Sequence, residues 1–416
     1  MPIVTAADPA GAASRTAFRM LLGVSAAHLL NDAMQSVVPS VFPLFRESMH
    51  LSFAEVGWVA FTLNITASVL QPLIGAYTDR RPMPALLPLG MAFTLLGMVG
   101  LAFAPSLWLL LAASALIGIG SSVLHPESSR VAHLAAGRSR GFAQSVFQVG
   151  GNAGQAIAPL LVAFVVTPLG QRGFLWFILL AVAGIFIQSG IARWYGRQSG
   201  PASRGGSRHA AAAGAVPRTK LFVGSVLAIL ILMLFSKFVY LAGMTGYYSF
   251  YFMDRYELPL GRAQICLFAL QFAGMVGTFV GGPLADRFGR KNVIWFSIFG
   301  TAPFSLLLPH AGPIGAVLLC LAIGFILMSG FSVIIVYAQE LLPGHVGTVA
   351  GLFFGLAFGL GGLGSVVLGK LADSVGVSSM IHVCAFLPLL GALALFLPRD
   401  SALMGVPDTK KFSNPA

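Results

Sequence analysis

Long apolar runs separated by short polar breaks fill most of this chain, from Phe18 to Pro398. A membrane-spanning helix needs about 20 apolar residues. Cutting the runs at charges, prolines and glycine clusters predicts helices over 18–44, 53–78, 83–104, 107–134, 140–166 and 171–195, then over 219–253, 261–285, 291–310, 313–341, 345–372 and 378–398. The two sets share one rhythm, and a weak repeat at an offset of 207 positions pairs Gly75, Asp79 and Arg80 with Gly282, Asp286 and Arg287. The pattern predicts an all-α membrane protein of twelve transmembrane helices in two six-helix halves, 18–195 and 219–398. Residues 1–17 and 399–416 read as tails, the first without the apolar run and cleavage site of a signal peptide. Between the halves, 196–218 (GRQSGPASRGGSRHAAAAGAVPR) is too small, polar and basic to bury surface and reads as a linker.

Composition excludes a soluble enzyme. Of 416 residues 57% are hydrophobic and 9% charged, with mean hydropathy +0.86, whereas soluble domains carry about a quarter charged residues. The net charge of +12 would suggest nucleic acid in a soluble protein. Here the Lys and Arg gather in the termini, the linker and the even-numbered loops, the positive-inside signature. It implies a cytoplasmic (inner) membrane protein with both termini and the linker in the cytoplasm, in contact with lipid and not with nucleic acid. Cys266, Cys320 and Cys384 lie in apolar runs without metal-ligand spacing and read as small buried hydrophobes. Gly359, Gly361 and Gly364 spell a nucleotide-binding pattern, but no strand-to-helix turn surrounds them. Gly347, Gly351, Gly355 and Gly359 instead give helix 11 a smooth stripe for close packing.

Ionisable residues inside spans cost about 2.5–3.5 kcal/mol at a helix centre on insertion scales and tend to face cavities. On helix 1, His28, Asn31 or Asp32, and Gln35 repeat at three to four residues and form one polar stripe. Asp32 is the first candidate proton carrier, the alternative being a static hydrogen-bonded acid. Helix 4 ends in HPESSR, with His125, Glu127 and Arg130 around Pro126; Glu127 and Arg130 fit either the pathway or an intrahelical ion pair. Helix 5 aligns Gln144, Gln148 and Gln155, with Asn152 beside them, for solute binding or interhelical hydrogen bonds. On helix 7, Lys237, Tyr240, Met244, Tyr247 and Tyr251 set a cation beneath an aromatic ladder suited to an anionic, partly apolar solute; Tyr248 and Tyr251 equally suit an interfacial belt. Asp32 and Lys237 lie 205 positions apart, near the repeat offset, and so are expected at similar depth as one electrostatic site for proton and anion. Helix 10 adds Tyr337, Gln339 and Glu340, and Glu127 and Glu340 are the alternative proton sites.

The stretch GGPLADRFGRK after helix 8 resembles the G-x-x-x-D-[RK]-x-G-R-[RK] signature of the major facilitator superfamily. Gly282, Asp286, Arg287 and Arg290 carry it, and Asp286 is expected to cap a neighbouring helix N-terminus in a breakable cytoplasmic gate. The copy after helix 2 keeps Gly75, Asp79 and Arg80 but then reads Arg81-Pro82. More specific are HLLNDAMQS from His28, HPESSRVA from His125, AQSVFQVGGN from Ala143, FSKFVY from Phe235 and YAQELLPG from Tyr337. Through them the chain resembles the fosmidomycin resistance protein family over nearly its whole length. That resemblance implies export of a small phosphonate anion by alternating access, driven by the proton gradient with no bound cofactor. Helix 5 departs from the Gly-Pro signature of many drug-proton antiporters, because Gly150, Gly151 and Gly154 precede Pro159 in another order. The rival within transport is a proton-coupled importer of a metabolite anion.

Overall fold

The computed structural model describes residues 9–135, 140–198, 219–342 and 346–400, and every regular element among them is helical. Residues 199–218, most of the expected linker, lie outside the described residues. The N-terminal half comprises α1 (Pro9–Ser40, prolonged by Phe42–Met49), α2 (Phe53–Arg80), α3 (Leu86–Phe103), α4 (Leu107–Ala135), α5 (Arg140–Leu161) and α6 (Phe177–Gln198). The C-terminal half comprises α7 (Lys220–Tyr256), α8 (Leu260–Phe288), α9 (Arg290–Phe299, then Ala302–Leu307), α10 (Pro313–Ser329, then Phe331–Leu341), α11 (Val346–Val375) and α12 (Val377–Cys384, then Leu387–Phe396). Helix α1 begins at Pro9, within the stretch expected as the N-terminal tail.

Local chemistry sets the ends. Ser52 accepts from Glu55 N at 3.1 Å while Glu55 accepts from Ser52 N at 2.8 Å, a reciprocal cap that starts α2. Thr219 caps α7 through Phe222 N at 3.3 Å. Gly289 (φ 87°) and Gly376 (φ 83°) make the sharp turns from α8 to α9 and from α11 to α12, a backbone region that disfavours side chains. Ten of the described helical stretches are long and apolar enough to cross a membrane, one of them, Val146–Gln198, spanning both α5 and α6. Helix α1 is not among them, since His28, Asn31, Asp32 and Gln35 dilute its apolar content. Large apolar side chains such as Phe164, Phe186, Leu221 and Phe279 are exposed on the outside, where lipid tails solvate them without penalty.

Across the interface between the halves, α2 runs along α11 and α5 along α8. The α2–α11 approach depends on glycine: a Cβ on Gly57 would stand 2.6 Å from Ser365 O, and one on Gly369 would stand 2.4 Å from Phe53 O. Gly355 and Gly359 of the expected smooth stripe face Ser68 of α2 at contact distance. The hydrogen bonds joining the halves concentrate at the end of the bundle away from the linker and termini. There Asp373 accepts from Phe53 N and Ala54 N at 2.8 and 2.9 Å. Gln264 donates to Ser40 O at 2.7 Å, and the Tyr247 hydroxyl lies 2.6 Å from Ser365 O and 3.2 Å from Phe53 O.

Candidate functional site

A cavity of about 1200 Å³, part of it open to solvent, separates the halves at mid-depth. Its N-terminal wall is built by the helical periodicity of α1, α4 and α5. Residues three or four apart share a face, so α1 presents His28, Asp32 and Gln35, α5 presents Gln148, Asn152 and Gln155, and α4 adds His125. Gly151 makes room for this arrangement, because a Cβ there would meet the His28 ring at 2.4 Å. The His28 ring stacks on Phe147 with centroids 4.2 Å apart and meets His125 edge-on at 5.0 Å.

Asp32 is buried at the centre of this wall. Its Oδ2 accepts from Gln155 Nε2 at 2.9 Å and its Oδ1 from Asn31 Nδ2 at 3.1 Å, while His28 Nε2 lies 3.3 Å from Oδ2. Asn31 also reaches Ser121 Oγ at 3.4 Å, and that hydroxyl donates to Gln35 Oε1 at 2.7 Å, tying α1 to α4. The far side of each imidazole is anchored as well: His28 Nδ1 lies 2.8 Å from Phe147 O and His125 Nδ1 lies 3.2 Å from Ser121 O. A carbonyl only accepts, so both Nδ1 atoms carry hydrogen and both Nε2 atoms are left for other chemistry.

The expected pairing of Asp32 with Lys237 is corrected. Lys237 is fully buried within the C-terminal half, its Nζ donating to Leu327 O at 2.6 Å and standing 5.5 Å from the Phe331 ring centroid. Successive helical residues point about 100° apart, so the next residue, Phe238, lines the cavity instead. The rest of the helix 7 ladder is core: Tyr240 accepts from Ser305 at 2.9 Å, Tyr247 bonds the two carbonyls named above, and Tyr251 stacks on Tyr248 with centroids 5.8 Å apart. Spacing identified one face of α7, but not the direction in which it points. Protein groups meet the polar tips of Lys237, Tyr240 and Tyr247, and none of these side chains lines the cavity.

Glu127 and Arg130 form an intrahelical pair at 3.5 Å, and Arg130 ties α4 to its neighbours through Thr78 O at 2.5 Å and Tyr195 Oη at 3.2 Å. Neither lines the cavity. Glu340 pairs with Arg290, joining α10 to the start of α9, and Gln339 is half-buried beside it. Asp286 and Arg287 are exposed. Among the described contacts the cap on α9 belongs to Asp400, which accepts from Arg290 N at 2.6 Å and Lys291 N at 3.2 Å. Residues 343–345, just before α11, and the side chains of Asp79, Arg80 and Gln144 lie outside the described residues. Gly75 stands beside Pro126 at van der Waals distance, and Gly282 opens on free space.

The C-terminal wall escaped the sequence reading almost entirely. Phe238, Phe331, Phe354, Phe358 and Met328 form it, with Gln271 and Thr245 as polar points, and Asn64 of α2 and Ser365 of α11 close the sides. Gln271 and Asn64 were discoverable, since each is an amide inside an apolar run. The phenylalanines were not, because nothing distinguishes them from residues that face lipid. No Lys or Arg lines the cavity among the described residues.

Residues 24–364 match the Major Facilitator Superfamily. The chain is 48% identical over 385 residues to the Fosmidomycin resistance protein of Escherichia coli (strain K12), covering 92% of this chain and 94% of that one. It is 46% identical over 388 residues to the Uncharacterized MFS-type transporter YfnC of Bacillus subtilis (strain 168), covering 93% and 95%. Among solved structures, a D-xylose-proton symporter superposes with TM-score 0.72 at 18% identity over 94% of this chain and 98% of that one, a likeness of fold. With its twelve helices, its two halves and a cavity between them that carries polar groups on one wall, the chain belongs to the Major Facilitator Superfamily and is a multi-pass membrane transporter, not an enzyme.

Proposed function

We propose that this transporter is a proton-coupled exporter of small organophosphonate anions of the fosmidomycin type, working by alternating access. The observation that carries the reading is the 48% identity to the Escherichia coli Fosmidomycin resistance protein across 92% of the chain. The charge bias supports an orientation with termini and linker in the cytoplasm. In that frame the end closed by Asp373, Tyr247 and Gln264 is periplasmic, and the cavity opens inward, ready to load a cytoplasmic solute. Asp286 is exposed in this state, as a cytoplasmic gate residue should be when its gate is open.

The His28–Asp32 pair supports proton coupling on geometric grounds. With Nδ1–H held by Phe147, the His28 Nε2 lone pair and the Asp32 carboxylate repel unless a proton lies between them. That pair sits where a bound solute changes its electrostatic surroundings. Glu127 and Glu340, the other acids considered, pair with arginines away from the cavity.

A second reading is import of a small metabolite anion by proton symport, favoured by 26% identity over 403 residues to a Probable sulfoacetate transporter of Cupriavidus necator. One experiment separates the two. Inverted vesicles carrying the protein should accumulate labelled fosmidomycin when a proton gradient, acidic inside, is imposed. Accumulation that ignores the gradient removes proton coupling; absence of fosmidomycin flux while sulfoacetate moves supports the second reading.

A further inference from the structure

We infer that His28, Asp32 and His125 form a binding site for one divalent transition-metal ion of the Zn²⁺ class, opening on the transport cavity. One ligand atom from each residue lies within 4.8 Å of those from the other two. His28 Nε2 and Asp32 Oδ2 are 3.3 Å apart. That is the spacing of two ligand atoms about 2.0 Å from one tetrahedral ion. His125 must close by an ångström or so to complete the set, a movement within reach of its side-chain torsions.

Two further features point to a metal and not to a purely structural hydrogen-bond cluster. His28 Nε2 is buried and forms no hydrogen bond, yet it stands 3.3 Å from Asp32 Oδ2, two acceptors that need a proton or a metal cation between them. Both imidazoles are also oriented as metal-bound histidines are, the remote N–H donating to a backbone carbonyl: Phe147 O for His28, Ser121 O for His125. Asn31 and Gln155 hold the carboxylate in the same way. Imidazole and carboxylate donors suit Zn²⁺ better than the oxygen-seeking Mg²⁺ or Ca²⁺. Three protein ligands leave one position open, on the cavity side, where a wall without Lys or Arg offers no competing cation.

The inference concerns the cavity already read as the transport path, and one consequence rests on that reading. A proton and the ion need the same lone pairs, so Zn²⁺ should inhibit proton-coupled flux. Binding itself does not depend on the direction of transport or on the solute.

The test uses the tag-free full chain in detergent, stripped with chelator. Titration with Co²⁺ should give the visible absorption of a low-symmetry site, displaced by Zn²⁺. Calorimetry should find one high-affinity Zn²⁺ per chain, weakened about a hundredfold or more in His125→Gln and in Asp32→Asn. His310→Ala, in the surface pair formed with His382, should leave it unchanged. X-ray absorption of the unmodified Zn²⁺-loaded protein guards against misfolded variants: two imidazoles and a carboxylate oxygen at about 2.0–2.1 Å are expected. Equal affinity in His125→Gln and Asp32→Asn, loss in His310→Ala, sulfur in the first shell or a single imidazole would each overturn the inference. Vesicle flux that is proton-driven and indifferent to bound Zn²⁺ would remove the inhibitory consequence and leave the transport reading standing. Metal binding in protein that moves no solute would do the reverse.

Discussion

The two walls of the cavity descend from a repeated six-helix plan, yet they divide the work unequally. The N-terminal wall holds the imidazoles, the carboxylate and most of the amides; the C-terminal wall is chiefly aromatic. Lys237, buried in that half, is turned away and bonded to a backbone carbonyl. A solute between the walls meets hydrogen-bonding and charge on one side and an apolar, polarisable surface on the other. The difference teaches that a shared six-helix plan fixes where helices stand, while single-residue rotations about a helix axis decide which half presents polar groups and which supplies shape.

That contrast is most exposed at Asp32. Replacing it by Asn keeps the shape and removes the charge that Gln155, Asn31 and His28 surround. Interactions of charged hydrogen-bonded groups amount to about 3 kcal/mol, so the proton-driven export proposed above should fall about a hundredfold. Vesicle flux with and without an imposed gradient measures it, and retained coupling would move the proton site off the N-terminal wall.

Next in size is the latch at the closed end, where the C-terminal half reaches into the N-terminal one. Asp373→Asn retains an acceptor but gives up the charge facing the α2 N-terminus. Labelling of cysteines introduced at the two ends should show the equilibrium shifting about tenfold towards opening of that end at low salt. No shift would place the closing force in the α2–α11 glycine contact instead.

A smaller effect is expected on the aromatic wall. Phe358→Ala, beside His125 at a ring separation of 5.9 Å, should weaken solute binding about fivefold through lost aromatic contact of about 1 kcal/mol and leave proton coupling intact. Binding isotherms beside flux measurements distinguish the two.

The smallest change should come from Lys237→Met, since a buried amine bonded to one carbonyl can be replaced by an apolar side chain of similar length with little loss. Solute affinity within about twofold of the original is expected. A large drop would return Lys237 to the anion site that its sequence position suggested.

The spans were legible in the sequence because lipid allows few alternatives: backbone groups must be satisfied within a helix, so every crossing leaves an apolar run of the same length. The N-terminal wall was legible for a related reason. His28, Asp32 and Gln155 stand out because polar groups in an apolar helix need a partner or a cavity. The aromatic wall left no such mark, as Phe331 in a cavity and Phe279 against lipid are equivalent to any periodicity. Lys237 misled because its cost of burial was assigned to a solute or to Asp32, when Leu327 O meets it. Asp373 went unnoticed at a helix end, where acids are ordinary, and only the fold brings α2 to it.

Asp400 closes the account of α9 with a consequence for biogenesis. It caps the first backbone N–H groups of a helix synthesised 110 residues earlier, while Lys291 Nζ is bound by the carbonyls of Leu395 and Leu397. Until the last span has left the ribosome, α9 can be inserted but its leading turn has neither its anion nor its acceptors. A nascent chain stopped before residue 395 should therefore expose the α8–α9 turn to proteolysis, and the finished chain should protect it.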